Sequence, residues 1–254
     1  MTIALAHRMP YLSRVLFGDR EKYGLVPVGS DPDWLEWQAR QYDFYMATQR
    51  QSAGLAVNRS GYKIMRHVDL DGKRVLEIGP GNILHSEYWR QKPAHWTSVD
   101  YRSNLLDIAA ETLDRLGVPH DGVVVDPSER ALPFEDGSFD VALSFYALEH
   151  FHPLGEHLAE IKRVLRPGGV VAGAIPCEGG LAWGLGRAVT SRRWVSKNAG
   201  FDLMKVICWE HPNFADQIIG ELDRHFARER LSLWPLRLPV IDANLTASFV
   251  YRNG

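Results

Sequence analysis

Residues 75–82 read VLEIGPGN, a strand-like run containing one acid, Glu77, followed by Gly79 and Gly81 with Pro80 between them. A glycine turn between a first strand and a first helix brings backbone close to a ligand, as nucleotide-binding α/β folds require. Three details narrow the ligand. Leu84 stands where the third glycine of G-x-G-x-x-G belongs, the turn holds no Lys or Arg, and Glu77 adds a carboxylate. Like charges repel strongly in a partly dry cleft, which disfavours a pyrophosphate and spares a cationic or zwitterionic ligand.

Outward from this stretch, short apolar runs alternate with helical segments. RVLEIG, TSVDY, GVVVD, SFDVALSF and VVAGAIP read as five strands. SNLLDIAAETLDRLG reads as a helix with Ser103 as cap, Leu105, Ile108, Ala109, Leu113 and Leu116 on its apolar side, and Gly117 as its stop. Leu154, Leu158, Ile161 and Leu165 mark another, ending at Pro167-Gly168-Gly169. FDLMKVICW is expected as the sixth strand, a helix opened by Asn213 follows with Phe214, Ile218, Leu222 and Phe226 in line, and LTASFVY is the last strand. This alternation predicts a doubly wound α/β sheet with ligands at the carboxyl ends of its strands. Asp100 ends the second strand about 20 residues past the glycines, the place of a ribose-binding carboxylate. Asp126 ends the third and is placed to receive an adenine amine. The ligand implied has an adenosine and no phosphates.

The stretches VLEIGPGN, SVDYR, LPFEDGSFDVALSFYALEHF and LAEIKRVLRPGG, in this order, resemble the motif series of the class I S-adenosylmethionine-dependent methyltransferases. The likeness is strongest to the methyltransferase type 11-like, small-molecule group, and covers residues 73 to 176. It implies a Rossmann-like sheet of seven strands with the last antiparallel, and S-adenosyl-L-methionine as cofactor. Gly79, Gly81 and Asn82 would lie against the methionine portion with Glu77 beneath the turn. Asp100 would hold the ribose hydroxyls beside Tyr101, Asp126 would face the adenine, and Ser144 would belong to the same pocket. The spacer PSERA leaves Pro127 and Ser128 as alternatives for flanking the adenine. Methyl transfer to a hydroxyl needs a base, and histidine serves near neutral pH. His150, in LEHF after the fourth strand, and His211, in WEHPN beside a Glu210 that could orient it, are the catalytic candidates; packing or capping histidines are the competing reading.

The rest of the 254 residues bounds the class. Hydrophobic residues at 45% and charged residues at 24% describe an ordinary globular chain. A net charge of −2 gives no reason to expect nucleic acid. Cys177 and Cys208 form no disulfide framework, no Cys/His set has zinc spacing, and a reducing cytoplasmic setting fits. No metal is expected. Pro176-Cys177 resembles a cytosine-methyltransferase nucleophile, but it follows the wrong strand, so a core cysteine is expected. The N-terminal MTIALAHRMPYLSRVLF lacks a signal-peptide core and reads as a surface helix or frayed arm, with a transit segment as the alternative. No apolar stretch nears the roughly 20 residues that span a membrane.

Residues 31–61 read as helical, with Leu35, Ala39, Tyr42 and Met46 in line and Trp34 and Trp37 off that line. The expected organisation is a helical cap or arm over 1–72 and a Rossmann-like domain over 73–254, carrying a substrate lid at 177–200. EGGLAWGLGRAVTSRRWVSK has exposed-looking Leu181, Trp183 and Leu185 and a basic string of Arg187, Arg192, Arg193 and Lys197. A cationic lid lining for an anionic acceptor, a solvated basic helix and peripheral contact with anionic lipid remain open for it. The functional expectation is methyl transfer to a small-molecule or glycan-like acceptor, with oxygen favoured. Nicotinamide-dependent oxidoreduction, which Leu84 and Glu77 disfavour, and a regulatory or scaffold protein that binds cofactor without turnover are the alternatives.

Overall fold

The computed structural model describes residues 4–49, 52–126, 129–190, 192–193, 195 and 200–254. Seven strands form one sheet: β1 (Arg74–Ile78), β2 (His95–Asp100), β3 (His120–Val124), β4 (Phe139–Phe145), β5 (Leu165–Pro176), β6 (Ala227–Trp234) and β7 (Thr246–Arg252). Their order is β3-β2-β1-β4-β5-β7-β6, and β7 runs antiparallel to both of its neighbours. The order reverses between β1 and β4, and this switch point opens a crevice at the carboxyl ends of the central strands. Residues 75–78 are all buried, Glu77 included, as expected of a parallel strand covered on both faces.

The two faces carry separate cores. On one, α6 (Leu154–Val164) and α9 (Ala215–His225) contribute Leu158, Ile161, Ile218 and Leu222. On the other, α5 (Ser103–Leu116) packs Ala109 and Leu113 beside Trp96, Met65 and Phe145. Each fully buried apolar side chain of this size contributes about 2 kcal/mol, so helical periodicity decides which faces meet the sheet. Gly117 ends α5 in the left-handed region with φ 64°, and the Val118 N–H reaches back to the Leu113 carbonyl. Ser103 is the first helical residue of α5 and not its cap; Arg102 precedes the helix without a side-chain bond.

The sixth strand differs from the sequence expectation. Leu203–Glu210, which takes in most of FDLMKVICW, is helix α8, because Asp202 Oδ1 accepts from the N–H groups of Met204 (2.9 Å) and Lys205 (3.3 Å) and caps it. A short apolar run does not distinguish a buried helix from a strand, and the cap decides here. The actual β6, ARERLSLW, is an edge strand whose charges face solvent, a common protection against edge pairing that also hides the strand's apolar signal. The helix after α8 begins at Ala215; Gln217 Oε1 accepts from the Phe214 N–H, and Asn213 has other partners.

Before the sheet come α1 (Pro10–Phe17), α2 (Arg20–Tyr23), α3 (Pro32–Gln49) and α4 (Ser52–Tyr62). Of the two readings of the N-terminal segment, a surface helix or a frayed arm, the structure shows a helix with Tyr11 and Val15 exposed, docked on the body. Asp242 accepts from the Leu5 and Ala6 N–H groups at 2.7 and 2.9 Å, His7 and Arg8 pair with Asp216, and Phe17 is fully buried. On α3 the buried side chain is Trp37, while Leu35 and Ala39 are exposed; the side chains of Tyr42 and Met46 lie outside the described residues. Trp37 packs on Phe201 and Trp34 on Trp209 of α8, so α3 meets α8 through aromatic rings. Among the described residues no helix is long and apolar enough to cross a membrane.

β4 and β5 approach so closely that a Cβ on Gly173 would lie 1.8 Å from the Ser144 carbonyl oxygen. Gly173→Ala is therefore expected to destabilise the fold by about 3 kcal/mol, read as a lower denaturation midpoint at unchanged slope. An unchanged midpoint would contradict this packing.

Candidate active site

The glycine turn leaves β1 at the switch point. Gly79 (φ 70°), Gly81 (φ 54°) and Ile83 (φ 51°) all take left-handed conformations, and the Gly79 N–H donates to the Val99 carbonyl at 2.9 Å. A Cβ on Gly79 would lie 2.9 Å from the Ala147 side chain, so the turn and the loop after β4 meet without room for a larger residue. A short 3₁₀ segment, Leu84–Tyr88, follows in place of a long helix. Beneath the turn, Glu77 Oε1 accepts from His85 Nε2 at 2.8 Å, and His85 Nδ1 accepts from the Trp89 indole at 3.1 Å. An indole N–H only donates, which assigns the His85 proton to Nε2. His85 stacks between Phe145 (4.6 Å) and Trp96 (5.9 Å). Glu77 Oε2 is buried and has no partner, and neither has the buried Ser144 Oγ. Asn82 is half-buried.

Asp100 closes β2 and accepts from the Arg102 N–H at 2.9 Å. Burial pushes its carboxyl up, and the bond from Arg102 and the nearby guanidinium oppose this. Tyr101 is exposed, with the Arg102 guanidinium over its ring, and hydrogen-bonds Gln41 of α3. β3 ends at Val124, and the Val125 N–H bonds the Asp100 carbonyl at 3.2 Å, so the chain passes the tip of β2 just before Asp126. Asp126 is exposed; Pro127 and Ser128 lie outside the described residues.

The two sequence-nominated histidines meet. Their rings are 4.8 Å apart and nearly perpendicular, although 60 residues separate them. His150 closes the short LEH turn after β4, and its Nδ1 donates to the Glu210 carbonyl at 2.6 Å. His211 Nδ1 lies 3.0 Å from Glu178 Oε2, so Glu178, and not the neighbouring Glu210, is its carboxylate. Glu210 instead sits 3.5 Å from His150 Nδ1 and accepts from the Trp37 indole. Asn213 Nδ2 clamps the turn through the carbonyls of Leu148 (3.2 Å) and Phe151 (2.5 Å), while Arg20 donates to the carbonyls of His211 and Pro212, both at 2.7 Å. Burial pushes the Arg20 guanidinium down to about 10, with Glu178 opposing the shift.

Glu178 is fully buried two residues past β5. Trp183 donates to Oε2 at 2.8 Å and Arg187 to Oε1, both from α7 (Leu181–Val189). Burial alone would raise this carboxyl, but Arg187 and the His211 bond outweigh it and hold the group well below the usual carboxylate range. Trp183, expected to be exposed, thus faces inward, and Arg187 is engaged by Glu178. Leu181 and Leu185 are exposed as expected. Arg192 reaches the Val15 carbonyl at 3.4 Å, and Lys197 lies outside the described residues. Cys177 is buried and burial pushes its thiol up, which leaves it inert as a nucleophile.

Residues 76–173, from within β1 to within β5, match the family model described as a methyltransferase domain, so the match encloses the glycine turn, Asp100 and the LEH turn. Residues 76–173 thus belong to a class I S-adenosylmethionine-dependent methyltransferase domain. It is 34% identical over 159 residues to the malonyl-[acyl-carrier protein] O-methyltransferase of Pseudescherichia vulneris, covering 61% of this chain and 57% of that one. It is 36% identical over 110 residues to phthiotriol/phenolphthiotriol dimycocerosates methyltransferase 1 of Mycobacterium ulcerans, covering 42% and 39%. The matches thus span 57% and 39% of the length of these curated relatives. In fold the chain is similar to the [4+2]-cyclase SpnF, with a TM-score of 0.58 at 17% identity over 89% of this chain and 97% of that one. This last likeness concerns architecture alone.

The methyltransferase domain fits its cofactor on structural grounds. Glu77 Oε2 and Ser144 Oγ are buried polar atoms that lack partners, the kind a ligand's own polar groups satisfy. The turn approaches the β4 loop with no cation in it, and Asp100 keeps acceptor capacity at a strand tip. Sequence reasoning missed Glu178 and Glu149. Burial pushes the Glu149 carboxyl up, while His150 and His211 oppose it, and its Oε2 has no partner. Glu149 was visible as the middle of L-E-H; Glu178 follows a strand in a segment that reads as loop, and only its neighbours reveal it.

Asp100→Asn is expected to weaken binding of S-adenosylhomocysteine by about 10- to 100-fold in calorimetry, the worth of a charge-assisted bond. Because burial raises the Asp100 carboxyl, wild-type affinity should decline with falling pH at values above those of an ordinary aspartate. A variant that binds as tightly as wild type would remove Asp100 from the cofactor site.

Proposed function

We propose that the protein transfers the methyl group of S-adenosylmethionine to a hydroxyl oxygen of a small or lipid-like acceptor. The observation that carries this reading is the imidazole pair formed by His150 after β4 and His211 after α8, in which both Nδ1 atoms face acceptors and, among the described residues, neither Nε2 is engaged in a hydrogen bond. A carboxylate acceptor is already ionised and requires no base, so a built base favours a hydroxyl. Of the relatives, the malonyl-[acyl-carrier protein] O-methyltransferase supports oxygen as the target, although a malonyl group offers a carboxylate, and the phthiotriol/phenolphthiotriol dimycocerosates methyltransferase supports a lipid-like acceptor. Arg187 is neutralised by Glu178, which argues against a strongly anionic acceptor.

The bound cofactor supplies an electrophilic methyl group on a sulfonium sulfur. Glu77, Gly79, Gly81, Asn82 and Ser144 would hold its amino-acid end, and Asp100, Tyr101 and the Asp126–Pro127 segment its adenosine. His211 takes the hydroxyl proton as the oxygen attacks, and His150 holds the facing wall. Residues 1–72, acting as a cap, and 177–200, acting as a lid, exclude water and align the acceptor, and most of the acceleration comes from that alignment.

The test is incubation of host aqueous and lipid extracts with methyl-labelled donor, followed by mass spectrometry. Alkali-stable methyl ethers are expected; alkali-labile esters alone, or no labelled product, would overturn the reading. With the acceptor identified, His211→Ala should lower kcat by about 10²- to 10⁴-fold and leave S-adenosylhomocysteine binding intact, with a smaller loss for His150→Ala. Unchanged turnover in both would dismiss base catalysis here.

A further inference from the structure

Glu178 lies outside the matched stretch of residues 76–173, yet it is the most heavily engaged carboxylate at the site. Its three donors come from two places: Trp183 and Arg187 from α7, and His211 from the loop after α8. An indole N–H and a guanidinium only donate, and a carboxylate flanked by both is an acceptor towards its third partner as well. The proton of neutral His211 therefore sits on Nδ1, and Nε2 carries the lone pair.

We propose that Glu178 is a positioning residue that sets the tautomer and ring orientation of His211 so that Nε2 accepts the acceptor's proton. This rests on the reading of methyl transfer to a hydroxyl. In the step, the hydroxyl oxygen forms a bond to the methyl carbon as the carbon–sulfur bond breaks. The bonding pair stays on sulfur, leaving the neutral thioether, and the hydroxyl proton passes to His211 Nε2. Glu178 remains ionised and stabilises the imidazolium from the Nδ1 side. His150 is the weaker candidate, because its Nδ1 faces a neutral peptide carbonyl at 2.6 Å. The groups around His211 are Glu149 and His150 from the turn after β4, Glu210 from α8, Arg20 from α2 and Arg187 from α7. Among the described residues, it is Glu178, and none of these groups, that the hydrogen bonds place on its Nδ1.

A carboxylate that merely anchored α7 through Trp183 and Arg187 would leave the His211 tautomer indifferent to its identity. The experiment is long-range ¹H–¹⁵N spectroscopy of the histidine rings in the full chain loaded with S-adenosylhomocysteine. In the wild type, neutral His211 should be the Nδ1–H tautomer with a slowly exchanging ring proton. Glu178→Gln, whose carboxamide can offer its own N–H to Nδ1, should shift His211 towards Nε2–H, and Glu178→Asp should restore Nδ1–H. Carbethoxylation of His211 by diethyl pyrocarbonate, read by peptide mass, should be about tenfold slower in Glu178→Gln than in wild type. A wild-type His211 in the Nε2–H form overturns the proposal, even where no variant folds. A folded Glu178→Gln with unchanged tautomer or modification rate overturns it too. None of these measurements uses an acceptor, so the two failures are distinguishable: a failed search for O-methylated product sinks the functional reading and the proton-accepting role with it, whereas a wrong tautomer sinks the positioning role of Glu178 whatever the acceptor.

Discussion

A carboxylate removed from water must be met by donors, and that requirement organises the crevice of this protein. Glu77 is buried in β1 and met by His85, which is held between aromatic rings. Asp100 is met by the backbone and side chain of Arg102. Glu178 draws in Arg187, Trp183 and His211 together. Breaking one partner from such a group leaves a stranded charge and costs far more than an exposed pair would. These groups therefore hold their surroundings in place, and Glu77 and Ser144 each keep one polar atom for something the chain itself does not provide.

The same logic extends to the helices before the sheet. Trp37 joins α3 to Glu210, Arg20 joins α2 to the loop that carries His211, and Asn213 joins that loop to the LEH turn. The His150 and His211 side chains thus sit on connecting segments, but each segment is tied by hydrogen bonds to backbone carbonyls and cannot drift independently. Helix α7 faces this network with Trp183 and Arg187 and leaves Leu181, Leu185 and Val189 exposed on its other side. The position of α7 and the setting of His211 share one carboxylate.

Local pattern was enough for the central sheet. β1, β2, β4, α5 and α6 read clearly because parallel strands at the centre are apolar throughout and their covering helices are amphipathic at 3.6 residues. Four ordered motifs, all lying within or beside these elements, likewise disclosed the donor class. Pattern failed at the margins. β6 was concealed by the charges of an edge strand, and the apolar run of α8 was open to either reading until Asp202 capped it.

The sequence by itself thus determined the central strands, the glycine turn and the cofactor, because each is encoded by residues close together in the chain. Only the tertiary structure decided that His211 is served by Glu178 and His150 by Glu210, that Trp183 and Arg187 turn inward, and that two histidines far apart in the chain share one wall. Such pairings are set by which loops converge at the switch point of the sheet. Sequence neighbours, such as Glu210 beside His211, point in different directions when a helix ends between them, so adjacency in the chain is no guide to a hydrogen bond.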